Sequence, residues 1–483
     1  MKRTIIIIGV LLSAVALMAQ NEVDALRYSY LIPGGTARTA AMGGSFGAMG
    51  ADASSLIFNP AGIGVYRSSD FTFTPAFAIT NTDANMLGSI GEDYDVNFNI
   101  NNLGYIGAIP VNSENGLSSI NLGFSYNRLN NFHENIYIEG QNNTNSMTDW
   151  FANSADGYKS NQLNSFYSAL AWDSYLIDPS NPDTTAYTST YYGDYGQTQQ
   201  QFIYRNGYQG EYNFAASANI MHKLFIGASL GLQSIRYEEV KTLQEIDENG
   251  AIADFNSFSF KESLETRGSG INFKFGLLYS PVPWMRVGGS IHTPTFYDLH
   301  DTYFTSITSD FEDASKSSEY NSPYGTFDYE LTSPFRANAS LGFIIAKQAL
   351  LNVDYEYLDY SMSRLRSDDP VFFDANTNIR NGYKPAHNVK LGLEYRYGPI
   401  SFRAGGAYYD SPYVSEHTNS DSYTLVYSGG VGVRSDVAYF DIAYSHITNS
   451  LEYFMYDGYG VTSPVTEISK TQGRLLMTVG FKF

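Results

Sequence analysis

Arg474-Leu475-Leu476-Met477-Thr478-Val479-Gly480-Phe481-Lys482-Phe483 ends the chain. Leu475, Met477, Val479, Phe481 and Phe483 fall on one face and Arg474, Thr478, Gly480 and Lys482 on the other, with Leu476 the exception. A period of two marks a strand, because successive Cβ atoms point to opposite sides of the pleat. The apolar face ends on an aromatic residue at the last position. In a sheet exposed to water such a strand is usually followed by polar residues, whereas in a membrane barrel the aromatic sits at the interface belt. Phe481 and Phe483 are therefore expected on the strand that closes a barrel.

The same alternation recurs upstream. Val389, Leu391, Leu393 and Tyr395 oppose Lys390, Glu394 and Arg396; Ile400, Phe402, Ala404 and Tyr408 oppose Ser401, Arg403 and Gly405; Ile271, Phe273, Phe275, Leu277 and Tyr279 oppose Asn272, Lys274 and Gly276. Short joints at 112–116, 221–223, 281–283, 347–348, 398–399 and 435–436 alternate with longer polar stretches at 82–95, 140–197, 241–257, 301–322, 362–380, 410–421 and 457–462. With residues 67–81 as the first strand, the pattern predicts an all-β, antiparallel transmembrane barrel of about fourteen strands, both termini on the short-turn side. Closure satisfies every backbone N–H and C=O in lipid. The largest insertion, 140–197, spaces Trp150, Phe151, Tyr158, Leu163, Phe166, Leu170 and Trp172 as short amphipathic helices would.

Composition agrees. The 483 residues include 31 Phe, 40 Tyr, 3 Trp and 43 Gly, with no Cys and a formal charge of −20. Flat rings suit a pleated surface. Disulfide staples and thiolate metal sites are excluded, and so is a nucleic-acid partner that needs a basic face. After the N-terminus, no run approaches 18 apolar residues, which excludes a helical membrane protein. Lys2 and Arg3 precede an apolar run from Ile5 to Met18, the pattern of a secretory signal over residues 1–19, with cleavage after Ala19 or, alternatively, after Ala16. Localisation in a bacterial outer membrane follows, with its lipids and the barrel assembly machinery as partners.

Residues 20–66, between the signal and the barrel at 67–483, are rich in small residues and unlike a strand. They include Ala40-Ala41-Met42-Gly43-Gly44-Ser45-Phe46, Asp52-Ala53-Ser54-Ser55 and Phe58-Asn59-Pro60-Ala61-Gly62. Gly pairs permit tight turns and Pro60 restricts Asn59, as in a compact plug inside a lumen. Gly43, Gly44, Asn59, Pro60 and Ala61 are the residues expected to shape it.

This segment resembles the N-terminal hatch of the FadL/TodX family of outer-membrane transporters of long-chain fatty acids and other hydrophobic compounds. Weaker similarity runs through Gly276-Leu277-Leu278-Tyr279-Ser280-Pro281 and Phe402-Arg403-Ala404-Gly405-Gly406-Ala407. The resemblance implies a fourteen-stranded barrel, capture of a greasy ligand outside, a lumen site, and sideways release through a gap at a kinked strand as the hatch moves. The loops share no motif with the family.

Inward faces carry Lys274, Arg336, Lys390, Arg396, Arg403, Arg474 and Lys482 against Asp354, Glu356, Glu394 and Asp441. A carboxylated amphiphile needs a desolvated cation, so Lys390, Arg396 and Arg403 are the candidate ligand contacts; the alternative is that they pair within the wall. Asn127 to Asn131 is a polar break in the third strand and the candidate side door. His292 and His300, eight apart, are placed to share a strand face, yet no nucleophile elbow or metal-ligand spacing appears. No catalytic residue, cofactor or metal is expected. The reading is a monomeric passive transporter; a general porin or a structural or adhesive barrel is the alternative.

Overall fold

The computed structural model describes residues 22–111, 116–180, 185–191, 193, 195–368 and 371–483. The signal segment and its cleavage point lie outside the described residues, as does most of the joint at 112–116. Fourteen antiparallel strands form a closed barrel. They are β1 (Asp70–Met86), β2 (Ser89–Pro110), β3 (Leu117–Asn131, resumed as Glu134–Asn142), β4 (Gln197–Ile220), β5 (Leu224–Ile246), β6 (Ser257–Val282) and β7 (Met285–His292 and Phe296–Asp310). The circuit continues with β8 (Ser318–Asn321, Gly325–Thr332 and Arg336–Ile345), β9 (Ala349–Asp359), β10 (Pro385–Tyr397), β11 (Ile400–Tyr409), β12 (Thr424–Arg434), β13 (Ala438–Tyr453) and β14 (Thr466–Lys482).

β14 pairs with β1 from Met86–Thr466 to Asp70–Lys482. Phe481 stands opposite Phe71 on this seam, and Ser69 and Phe483 exchange backbone hydrogen bonds of 3.0 and 3.1 Å. Outward-facing Ile271, Phe273, Phe275, Leu277 and Tyr279 on β6, and Phe71, Phe73, Phe77 and Ile79 on β1, are exposed. Nine residues of such a strand rise about 20–25 Å when tilted, the height of a hydrocarbon band. Towards the loop end the outward positions turn polar: Asn81, Asp83 and Asn85 on β1, Arg267 and Glu265 on β6.

The stretch 82–95, expected as a long loop, is instead the end of the β1–β2 hairpin, which turns at Leu87 and Gly88 with φ of 54° and 93°. Above the lipid the outer face meets water, so an ordinary strand there reads as polar sequence.

The 140–197 insertion does hold short helices, α4 (Met147–Ala155) and α5 (Ser168–Asp173). With Phe258 and Phe260 of β6, Phe311 and Met455 they bury one apolar cluster that includes Phe151, Leu170, Ile177 and Tyr191. Glu245, at the loop end of β5 and well outside the membrane band, anchors α4. Met147 N and Gln199 Nε2 donate to its Oε1 at 2.8 and 2.6 Å, and Ser146 Oγ to its Oε2 at 2.5 Å. Burial outweighs these donors and pushes its carboxyl up to about 7 from 4.5.

The docked cap therefore holds a proton that the undocked segment releases near 4.5, and stability falls as pH rises from there through 7, by at most about 1.4 kcal/mol per unit. Proteolysis within 140–197 should accelerate between pH 5 and 8, and Glu245→Gln should flatten that dependence; an unchanged slope in the variant would refute the assignment.

Candidate functional site: the lumen and the break in its wall

The N-terminal segment contains α1 (Glu22–Ser29), α2 (Ala37–Ala41), α3 (Ser55–Phe58) and a 3-10 turn, Pro60–Val65. Its partners lie on strands all around the barrel. Ala37 N donates to Thr478 Oγ1 at 2.8 Å, Gly43 N to Ser428 Oγ at 2.9 Å, and Phe46 N to Asp354 Oδ2 at 2.6 Å. Asn59 Nδ2 donates to Leu277 O at 3.1 Å, Ser290 Oγ to Phe58 O at 2.5 Å and Asn121 Nδ2 to Ile63 O at 2.7 Å. A segment bonded to β14, β12, β9, β6, β7 and β3 occupies the lumen.

Its sequence explains the fit. Asn59 accepts from Ala61 N at 3.1 Å, holding the turn that Pro60 begins, while its amide bridges Gly47 O at 2.8 Å. Leu476, the exception in the last strand, turns inward onto Ala37, Ala40 and Ala41. The facing strands supply glycine where backbone meets backbone: a Cβ at Gly405 would lie 2.1 Å from the Met42 carbonyl carbon.

Towards the turn end, Glu394 gathers three guanidinium groups, from Arg38 of α2 at 2.8 Å and from Arg396 and Arg403 at 2.7 Å each. Arg403 also meets Asp441 at 2.6 Å, and Arg434 reaches Asp441 at 3.5 Å.

Towards the loop end, a cavity of about 920 Å³ lies over α1, lined by Phe132, Tyr167, Tyr237, Tyr413 and Tyr453 together with charged Arg205, Glu239 and Lys241. Arg27 of α1 stacks over Tyr237 at 4.2 Å. Beneath α1 is a second cavity of about 50 Å³, whose lining includes Leu31, Phe58, Leu129, Lys274, Glu356 and Lys390. Tyr28 lines this lower cavity and packs edge-on against Phe132 and Tyr237 of the upper one, ring centroids 6.2 and 6.3 Å away. α1 thus separates the two spaces, with Tyr28 at their boundary.

Leu129 also lines a smaller space of about 10 Å³ with Ala76, Ala78, Asn99, Arg128 and Asn130. Here the wall breaks. β2 and β3 pair from Pro110–Ser119 only as far as Asn102–Asn127. β3 stops at Asn131 and resumes at Glu134. Its upper half crosses the inner face of β1, where Thr80 Oγ1 donates to His133 O at 3.2 Å and Thr82 Oγ1 to Asn135 O at 2.6 Å. The polar stretch Asn127–Asn131 marks this departure in the sequence.

Of the three candidate cations, Lys390 lines the lower cavity and pairs with Glu356 at 3.6 Å, whereas Arg396 and Arg403 belong to the network around Glu394. His292 faces inward, bonded to Phe58 O at 3.1 Å, but His300 faces outward beside Asp328 at 2.7 Å. Pro294 interrupts the ladder between them and reverses the parity of the faces. Tyr28, Arg38, Arg434 and Leu129 were not singled out from sequence, nor was Glu211, which lines the lower cavity and pairs with Lys274. The alternation around Tyr212 and Phe214 was the available signal for Glu211; Tyr28 and Arg38 lie outside any strand pattern. Among the described residues, no three His, Asp or Glu side chains are grouped to hold a metal ion.

Fold and site together define a closed, membrane-spanning β-barrel filled by its own N-terminal segment. Its fold is that of the FadL/TodX channels. A Pseudomonas aeruginosa FadL homologue superimposes with a TM-score of 0.58 at 11% identity, over 94% of this chain and 100% of that one. The P. putida toluene transporter TodX gives 0.53 at 12%, over 93% and 98%, and the monoaromatic hydrocarbon channel CymD 0.50 at 13%, over 93% and 97%. No protein-family model and no curated protein matches the chain.

Proposed function

We propose that the chain is an outer-membrane channel for passive uptake of hydrophobic molecules such as long-chain fatty acids, with the N-terminal segment as its hatch. The observation that carries this is the succession of spaces: an aromatic-rich outer cavity, Tyr28, the lower cavity, and Leu129 at the break beside β3. Two solved structures of the same fold bear the names of hydrocarbon conduits. The upper cavity has the volume of a ligand pocket, whereas the lower one is far below the roughly 300 Å³ such pockets need. Passage therefore requires α1 and its neighbours to move. A ligand loses its water in the upper cavity, each methylene contributing about 0.8 kcal/mol, and leaves sideways into the lipid at the β3 break.

Liposomes carrying the purified chain should take up radiolabelled palmitate saturably, and a chain lacking residues 34–62 should lose that saturation. Tyr28→Ala should speed uptake severalfold, and Leu129→Trp should slow it. If sugars permeate equally well and palmitate does not saturate, the barrel is a general porin.

A further inference from the structure

The ion-pair network under the hatch is unbalanced. Four guanidinium groups, Arg38, Arg396, Arg403 and Arg434, share two carboxylates, Glu394 and Asp441. Among the described residues, two of their buried donors, Arg403 Nη2 and Arg434 Nε, have no hydrogen-bond partner. Both residues hold Asp441, so the two donors belong to one corner of the lumen. Gly432 makes that corner possible, because a Cβ there would lie 1.7 Å from Asp441 Oδ1 and 2.7 Å from Arg403 Nη1.

The surroundings do not restore the balance. Asp52 of the N-terminal segment is engaged by Thr36 Oγ1 and Ser54 N, each at 2.9 Å. Its carboxylate acts on Arg38, but Arg286, which donates to Met49 O and has only Arg38, Arg67 and Arg396 as charged neighbours, adds a further positive charge to the group. Lys482 and Asp70 stand directly opposite each other on β14 and β1. An excess of two positive charges remains.

Both donors are buried, and the side chains of the corner that reach water are at the turn end of the barrel. The Arg403 side chain is 1% exposed, but those of Arg434 and Arg396 are 22% and 44% exposed at the turn end of the barrel. With the long loops outside, as the proposed uptake requires, the turn end faces the periplasm, and Arg38 of α2 reaches the network from the lumen side. Unpaired guanidinium donors are costly to bury, and a tetrahedral dianion matches both their charge and their fork geometry.

We propose that this corner is a phosphate-binding site, in which Arg403 Nη2 and Arg434 Nε donate to the phosphate oxygens and Arg396 guards the entrance. A bound dianion brings the network to neutrality and fixes the base of the hatch from the periplasmic side. The site is separate from the ligand path through Leu129, so its failure would leave the transport reading standing.

The test uses the whole chain in detergent, titrated calorimetrically with inorganic phosphate and with dihexanoylphosphatidic acid, whose phosphomonoester is also a dianion. Saturable phosphate binding that weakens about tenfold in Arg434→Gln, and weakens with salt, is the expected result for free phosphate. Saturable binding of the lipid alone, equally sensitive to Arg434→Gln, identifies a phospholipid headgroup as the source. No saturable heat with either probe overturns the proposal, as does unchanged affinity in Arg434→Gln with the barrel still resistant to detergent. If that variant fails to assemble, Arg396→Gln, at the exposed entrance, carries the same readout.

Discussion

Replacing Glu394 by Gln is expected to destabilise the seated hatch by about 3–5 kcal/mol, the range for removing one partner of a buried ion pair. The carboxylate is fully buried and accepts from Arg38, Arg396 and Arg403. Its neutral isostere keeps the shape but leaves three guanidinium groups facing one another, with Asp441 beside Arg403 and Asp52 acting on Arg38 as the remaining carboxylates. Of these, Arg38 belongs to the N-terminal segment, so the lost attraction falls on the joint between hatch and wall. Hydrogen exchange of residues 36–48 reports it: their protection should collapse in the variant while that of β5 and β6 persists. Adding Arg403→Gln removes one of the stranded charges and should restore part of the protection, which simple loss of packing would not do. Protection equal to that of the natural chain would mean that Glu394 does not anchor the hatch.

Gly405→Leu is expected to unseat the hatch outright. A Cβ at this position lies 2.1 Å from the Met42 carbonyl carbon and 2.3 Å from Gly43 N. Both obstacles are backbone, and Gly43, with φ of 64°, sits in a turn that cannot retreat without giving up its bond to Ser428. The matched control is Gly429→Leu, whose Cβ has no neighbour nearer than the Arg403 carbonyl oxygen at 3.6 Å. In planar bilayers the natural chain and the control should pass little current, and Gly405→Leu should raise conductance by about an order of magnitude, as an emptied barrel of this size holds a water-filled lumen. A silent Gly405→Leu barrel with native thermal stability would show that the hatch is not held against β11 in this way.

The strand count and the inner and outer faces of β6, β10 and β11 were legible because each is an alternation bounded by a short turn, and those of β14 because, Leu476 apart, its alternation runs to the last residue. The errors fell where that local rule changes meaning. Beyond the lipid, the β1–β2 hairpin has water outside, so 82–95 loses its apolar face without ceasing to be strand. At Pro294 the faces exchange, which sends His300 outward although His292 points inward.

The candidate site was legible only in part. Asn127–Asn131 marked the break in β3, and Lys390 was correctly expected on an inward face. That Arg38 joins Arg403 on Glu394, and that Tyr28 meets Tyr237 between two cavities, depends on residues hundreds of positions apart meeting inside a cylinder.

By itself, then, the sequence determined a closed antiparallel wall, since a period of two and alternating joint lengths are properties of neighbouring residues facing lipid on one side. Only the tertiary structure decided which charges cancel, where the path narrows and which donors remain unpaired. Those are set by distances across the lumen, and side-chain alternation along one strand carries no information about the strand on the far side.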